Sequence, residues 1–221
     1  MKLIYSKMEQ AIRFDGGYVN ELIIENKKMF FNAVNSISMQ IDGSHGDWIL
    51  SIGNKPVEIS KYADLTVQFA PFEINRKALL TKLYNTLEQK ALLPENYLKT
   101  SEMLSNLERY VLYLSEDLPF EITCKKLSMG PIIRAISPEI EGVDKSPLEK
   151  IFAYMELVRE LDRDRLFIMV NMRTYFSDED MASFIESVCL HDFRVLLLEN
   201  NSQAILNNTS RCTVDIDLCE F

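Results

Sequence analysis

Glycine and proline are scarce, seven of each in 221 residues, and histidine occurs only as His45 and His191. That scarcity excludes low-complexity, loop-dominated and glycine-cradled architectures. The four cysteines, Cys124, Cys189, Cys212 and Cys219, form no C-x-x-C pair, so their spacing offers neither a zinc site nor a redox motif. No apolar run approaches the roughly 20 residues that span a bilayer. The opening Met1-Lys2-Leu3-Ile4-Tyr5 has no signal-peptide core and reads as a first strand. A soluble protein of the reducing cytoplasm is therefore expected, its thiols free.

What is present is an ordinary globular composition, 47% hydrophobic and 26% charged, with a net charge of −9. Acidity overall argues against nucleic acid, but its distribution is uneven. Residues 1–75 carry 7 Lys/Arg against 9 Asp/Glu, residues 76–145 carry 10 against 10, and residues 146–221 carry 7 against 14. The balanced middle leaves room for a local basic face.

The chain changes character twice. Alternation at Lys2–Tyr5 and at residues 18–24, separated by Asp15-Gly16-Gly17, predicts two strands. Asn26 is placed to cap a helix over residues 27–38, with Phe30, Phe31 and Val34 on its buried face. Trp48–Ile52 and residues 65–69 are further strands. From residue 75, Leu79, Leu80, Leu83 and Leu87 fall at helical spacing. A longer helix is predicted over residues 99–118. Its Leu104, Leu107, Val111, Leu114 and Leu118 alternate steps of three and four, an a/d seam suited to a partner helix. A helix over residues 125–136, broken by Pro131, would follow.

Ser146-Pro147-Leu148-Glu149 is a capping box with proline in the first turn, opening a helix that buries Leu148, Ile151, Phe152 and Met155. Leu166–Val170 and residues 194–198 are continuous apolar strands. Between them Ser177-Asp178-Glu179-Asp180 starts a helix that buries Met181, Phe184, Ile185, Val188 and Cys189. Residues 212–216 read as an edge strand. Strand, helix, strand with buried strands is a βαβ unit, hence a mostly parallel sheet. The expected architecture is an α/β head from residues 1–75 and 146–221, interrupted by a helical leg over residues 76–145.

Ligands of such sheets bind beyond the carboxyl ends of the strands, here Asn171-Met172-Arg173 and Glu199-Asn200. No G-x-x-x-x-G-K-[ST] segment exists to cradle phosphates, and Asn171 stands where a magnesium-binding aspartate would be expected. No G-x-S-x-G elbow is present, and Cys189 near His191 reads as a packed helix face. Two charge clusters remain. Lys125, Lys126, Arg159, Arg163 and Arg165 could meet a phosphate backbone or form a solvated surface. Glu116, Asp117 and Glu121 make an acidic knot that could hold calcium or simply decorate a helix end.

Arg13-Phe14-Asp15-Gly16-Gly17, the segment 65–75 ending Phe72-Glu73-Ile74-Asn75, Leu148-Glu149-Lys150-Ile151, the run Arg163 to Asn171, Tyr175-Phe176-Ser177-Asp178-Glu179-Asp180 and Val195 to Glu199 occur in an order that matters. That ordered set resembles the small accessory adaptation proteins of type II-A CRISPR systems, which assist spacer acquisition. The resemblance implies a P-loop-NTPase-like head without the nucleotide-binding motif and an inserted, elongated α-helical leg. It further implies a calcium-binding homotetrameric ring that threads double-stranded DNA ends through a lysine-lined hole without cutting them. Such a protein works beside the CRISPR integrase and effector nuclease, away from membranes. A ring needs a positive inner wall only, because attraction to DNA decays over roughly 8–10 Å at physiological salt. By the same resemblance Arg163 and Arg165 face DNA, with Lys125, Lys126 and Arg134 behind them. Glu116, Asp117 and Glu121 fall where relatives carry a longer acidic stretch, here interrupted by Pro119-Phe120 and Lys125-Lys126. Two other readings stay open: a protein-interaction scaffold whose heptad-bearing arm docks a partner, and a degenerate nucleotide-dependent switch on the same fold.

Overall fold

A computed structural model describes residues 1–53, 55–141, 146–162 and 165–221. It divides into two compact units, Met1–Ile74 with Val143–Phe221, and Asn75–Gly142.

The first unit is α/β. Its strands are β1 (Lys2–Tyr5), β2 (Ile12–Arg13), β3 (Val19–Ile24), β4 (Trp48–Ile52), β5 (Lys55–Val57), β6 (Ala63–Thr66), β7 (Leu166–Val170), β8 (Arg194–Glu199) and β9 (Thr209–Val214). Four of them make an antiparallel sheet ordered β2-β1-β4-β5, and five make a sheet ordered β6-β7-β8-β3-β9. Every pairing in the larger sheet is parallel. Parallel sheets are covered on both faces, which is why β3 and β7 are buried at every residue.

One cover is α1 (Lys27–Ile41), which lies between the two sheets and contributes Met29, Ala33 and Ile37 to their common core. The small sheet is fastened to it by polar bonds. Trp48 Nε1 donates to the Ala33 carbonyl at 2.9 Å. The Gln40 side chain donates to the Trp48 carbonyl at 2.8 Å and accepts from its N–H at 3.0 Å. The sequence places Phe30, Phe31 and Val34 on the buried face, yet Phe31 is 67% exposed. A helix held between two sheets buries its 29/33/37 stripe, and the aromatic shoulder falls outside it.

The other cover is α6 (Pro147–Leu161) and α7 (Asp178–Leu190). Both start as their sequences dictate: Ser146 and Glu149 form the reciprocal capping box, and Ser177 caps through Asp180 N–H. α6 buries Ile151, Tyr154, Met155 and Val158, so Leu148 and Phe152, expected in the core, are only half-buried. α7 buries Met181, Phe184, Ile185 and Val188, whereas Cys189 is half-buried. A short helix α2 (Ile59–Tyr62) precedes β6.

A charged cluster crosses this covered face. Arg173, on the turn after β7, and Glu21 of β3 each expose 1% of their side chains and pair at 2.7 Å. Glu21 also accepts from Arg211 Nε of β9 at 2.7 Å. Arg173 further pairs with Asp178 of α7 at 2.8 Å, while its backbone N–H donates to Glu199 Oε1 of β8 at 3.1 Å. Burial, with Glu21 close by, pushes the Glu199 carboxyl up to about 7.

The second unit holds α3 (Lys77–Ala91), α4 (Pro94–Leu114) and α5 (Met129–Ile136). Pro94 occupies the first turn of α4, so the helix starts five residues earlier than its leucine pattern suggests. Pro131 likewise lies in the first turn of α5 rather than breaking a longer helix, and Lys125 and Lys126 precede that helix in irregular chain. Gly130 lets α5 approach α3, since a Cβ there would lie 2.6 Å from the Glu88 carboxylate. The Asn75 amide clasps the Ile140 backbone through both groups, at 3.1 and 2.9 Å, joining the two ends of the unit.

Replacing Arg173 by Met leaves Glu21 half-paired in a dry site, so a loss of about 3–5 kcal/mol is expected in urea unfolding. The double variant with Glu21→Gln should recover part of that loss. If the single variant costs less than about 1 kcal/mol, the cluster is not holding the strands. A second expectation concerns pH. Glu199 keeps its proton in the native state up to about 7, whereas an unfolded carboxyl gives it up near 4.5. Stability relative to Glu199→Gln should therefore fall between about pH 4.5 and 7 by on the order of 3 kcal/mol and then level off. A pH-independent difference between the two proteins would contradict this account.

Candidate nucleic-acid interface

The carboxyl edge of the parallel sheet is filled by the protein's own groups. β3 passes into α1 through Glu25 and Asn26 alone. Asn26 Oδ1 accepts from Met29 N–H at 3.0 Å and its Nδ2 donates to the Ile216 carbonyl at 2.9 Å, so the helix start is already capped. At the end of β7, Asn171 adopts left-handed backbone (φ 54°) and its Oδ1 accepts from Asn200 N–H at 3.1 Å. Beside it lie the guanidinium of Arg173 and the carboxyl of Glu199, already paired. This arrangement can brace strands but presents no phosphate cradle.

The cations singled out from sequence separate into three groups. Lys125, Lys126 and Arg134 are exposed on the helical unit, the lysines on the chain leading to α5 and Arg134 in its last turn. None of the three forms an ion pair with a described residue. Arg165 is committed elsewhere in the α/β unit. Its Nε and Nη2 bond Asp162, and its Nη1 donates to the Ala63 carbonyl at 3.1 Å. It therefore ties the end of α6 to β6, and its charge is neutralised. Arg163 lies outside the described residues. Lys77, Lys90 and Lys99 are also exposed on the helical unit.

Glu116, Asp117 and Glu121 lie in the turn after α4 and the chain beyond it, all exposed. Among the described residues no group of three or more His, Cys, Asp or Glu side chains gathers closely enough to hold a metal. Calcium takes six to eight oxygens, so this trio within one chain does not fit the ion.

The strongest feature of the helical unit is apolar. Its described residues bury only Leu79, Gly130 and Ile133, and α4 buries none. Of the heptad seam, Leu107, Val111 and Leu114 are exposed on α4, with Leu98, Tyr110 and Tyr113, whereas Leu118, expected on the same helix, lies exposed in the turn beyond its end at Leu114. The spacing suits the seam to a partner helix, and within its own unit it lies open. Among the described residues no helix is long and apolar enough to cross a membrane.

Comparison with known proteins gives a consistent result. A family model described as "CRISPR-associated protein (Cas_Csn2)" matches residues 40–218. A CRISPR-associated protein Csn2 from Enterococcus faecalis is 22% identical over 219 residues, covering 97% of this chain and 95% of that protein. Among solved structures, Stu0660 of Streptococcus thermophilus superposes with a TM-score of 0.62 at 12% identity, over 96% of this chain and 74% of that one. The fold is thus an α/β unit built on a parallel five-stranded sheet, without a G-x-x-x-x-G-K-[ST] segment, that carries an inserted helical unit. The match across most of the chain places this protein in the Csn2 family of CRISPR-associated proteins.

Proposed function

We propose that this protein assists CRISPR spacer acquisition as a non-catalytic ring of four copies that encloses double-stranded DNA ends in the cytoplasm. The observation that carries the reading is the uncovered face of α4. Leu107, Val111 and Leu114 form one exposed apolar stripe, and a stripe of that kind is a surface for association. Copies of the same chain supply a partner with the same heptad pattern; an isologous contact on this stripe closes a pair of copies, and a second, different contact between pairs completes a ring. Charge supports DNA as the enclosed ligand. The segment 76–145 balances 10 Lys/Arg against 10 Asp/Glu in a chain of net charge −9, and it presents Lys125, Lys126 and Arg134 without an ion-pair partner among the described residues.

Support for a non-catalytic role comes from the closed carboxyl edge. The two-residue turn Glu25-Asn26 leaves no loop to wrap phosphates, and Arg173 with Glu199 occupies the neighbouring strand ends. Calcium stays outside the core of the reading, because Glu116, Asp117 and Glu121 supply too few converging oxygens in one chain. Running each binding assay with and without the ion tests that point directly.

Contacts to phosphates release counterions, so affinity for a linear duplex should fall steeply and log-linearly with salt. The double variant Lys125→Ala, Lys126→Ala should weaken binding at all sequences and lower the slope by about 2. Linear DNA should shift more readily than the same DNA closed into a circle, with its length unchanged afterwards. Failure of linear DNA to shift at low salt, with or without calcium, would sink the DNA reading. Separately, Val111→Asp should lower the mass measured by light scattering. A wild-type protein that is already a monomer would leave the scaffold reading in its place.

A further inference from the structure

The α/β unit carries a second surface that neither DNA nor the α4 stripe uses. α6 and α7 lie side by side over the parallel sheet, and between their outer shoulders runs an open groove of 480 Å³. Its floor is apolar, made by half-buried Leu148 and Phe152 and buried Phe184. Ser183 and Ser187 keep the α7 wall low, their hydroxyls turned back to the carbonyls of Glu179 and Ser183. The rim is acidic: Glu149 and Glu156 rise from α6 and Asp180 from α7. Among the described residues no lysine or arginine lines the groove.

Glu149 and Asp180 also serve the caps of their own helices, which fixes two of the three carboxylates in place. Glu156, mid-helix and exposed, is the one free to meet a ligand. One further turn along, Leu190 stands 80% exposed, on the side of α7 that bears Ser183 and Ser187. The whole segment 146–221 carries 14 Asp/Glu against 7 Lys/Arg, so the field around the groove is negative as well.

We propose that this groove docks a basic amphipathic helix of a partner protein, its apolar side on Phe152 and Phe184 and its lysines or arginines against Glu156 and its neighbours. The stretch of α6 from Ser146 to Glu156 measures about 15 Å along its axis, enough to seat two to three turns of a third helix. Two helices standing side by side leave the kind of channel into which a third helix packs by ridges and grooves. Charge selects the occupant. Nucleic acid is repelled by three carboxylates, and an acidic or neutral helix gains nothing from them. This docking is independent of DNA binding and of the α4 seam, so its failure leaves both untouched.

The test uses the full chain and a fluorescein-labelled 18-residue helical peptide of leucine and lysine, read by polarisation. A leucine–glutamate peptide of the same pattern is the control. Saturable binding of the lysine peptide that weakens with salt is expected, with none for the glutamate peptide. Glu156→Lys should weaken it about tenfold, and Ser183→Trp, which fills the channel, should abolish it. Ser187→Arg gives a second block on α7 should the tryptophan variant melt early. Glu102→Lys on the exposed surface of α4 should change nothing. Equal binding across the groove variants, a loss transferred to Glu102→Lys, or equal binding of the glutamate peptide overturns the proposal. A lower mass in light scattering for Glu156→Lys or Ser187→Arg would also overturn it, by making the groove a contact between copies.

Discussion

Arg173 is as deeply buried as the leucines around it, and the α/β unit is organised about its guanidinium. A charge removed from water costs several kcal/mol unless it is paired, and this one is paired with Glu21 of β3 and Asp178 of α7. Glu21 in turn holds Arg211 of β9, while the backbone of Arg173 engages Glu199 of β8. One side chain and its neighbours thus connect β3, β8, β9, the turn after β7 and the start of α7. Apolar packing alone is tolerant of register, but a network of directed bonds is not. The cluster therefore specifies how the central strands line up.

The same cluster redirects function. In open α/β sheets the strand ends that meet at the carboxyl edge are where ligands collect. Here those ends are occupied by Arg173, Glu199, Asn171 and the tight Glu25-Asn26 turn, each already bonded within the unit. The helical unit offers an uncovered apolar face and unpaired lysines, while α6 and α7 offer an acidic groove.

Local rules carried far in some places. The capping box at Ser146, the strand Leu166–Val170 and the parallel βαβ unit through α7 follow from cap chemistry and unbroken apolar runs, and the structure has them at those residues. Local rules misled where two covers compete for one helix. Phe31 looked like core and is exposed, because the second sheet claims Met29, Ala33 and Ile37. Pro131 looked like a break and instead sits in the first turn of α5, where its missing N–H interrupts no helical bond. The candidate DNA cations suffered most. Arg165 in the sequence is one more arginine beside a strand, and only its proximity to Asp162 and the Ala63 carbonyl reveals a brace.

The sequence by itself determined the interrupted α/β plan, the absence of a phosphate loop, the concentration of acid in the last third and the leucine seam of α4. Each of these is written in neighbouring residues, through periodicity, capping and composition. Tertiary structure alone decided which charges are spent and which are free. Glu21 and Arg173 are 152 positions apart, as are no local signals, and their pairing depends on two strand registers at once. It also decided that the seam lies uncovered, because burial is a property of what else the chain brings alongside. Ion pairing and burial are both long-range consequences of folding, and so neither can be read from spacing.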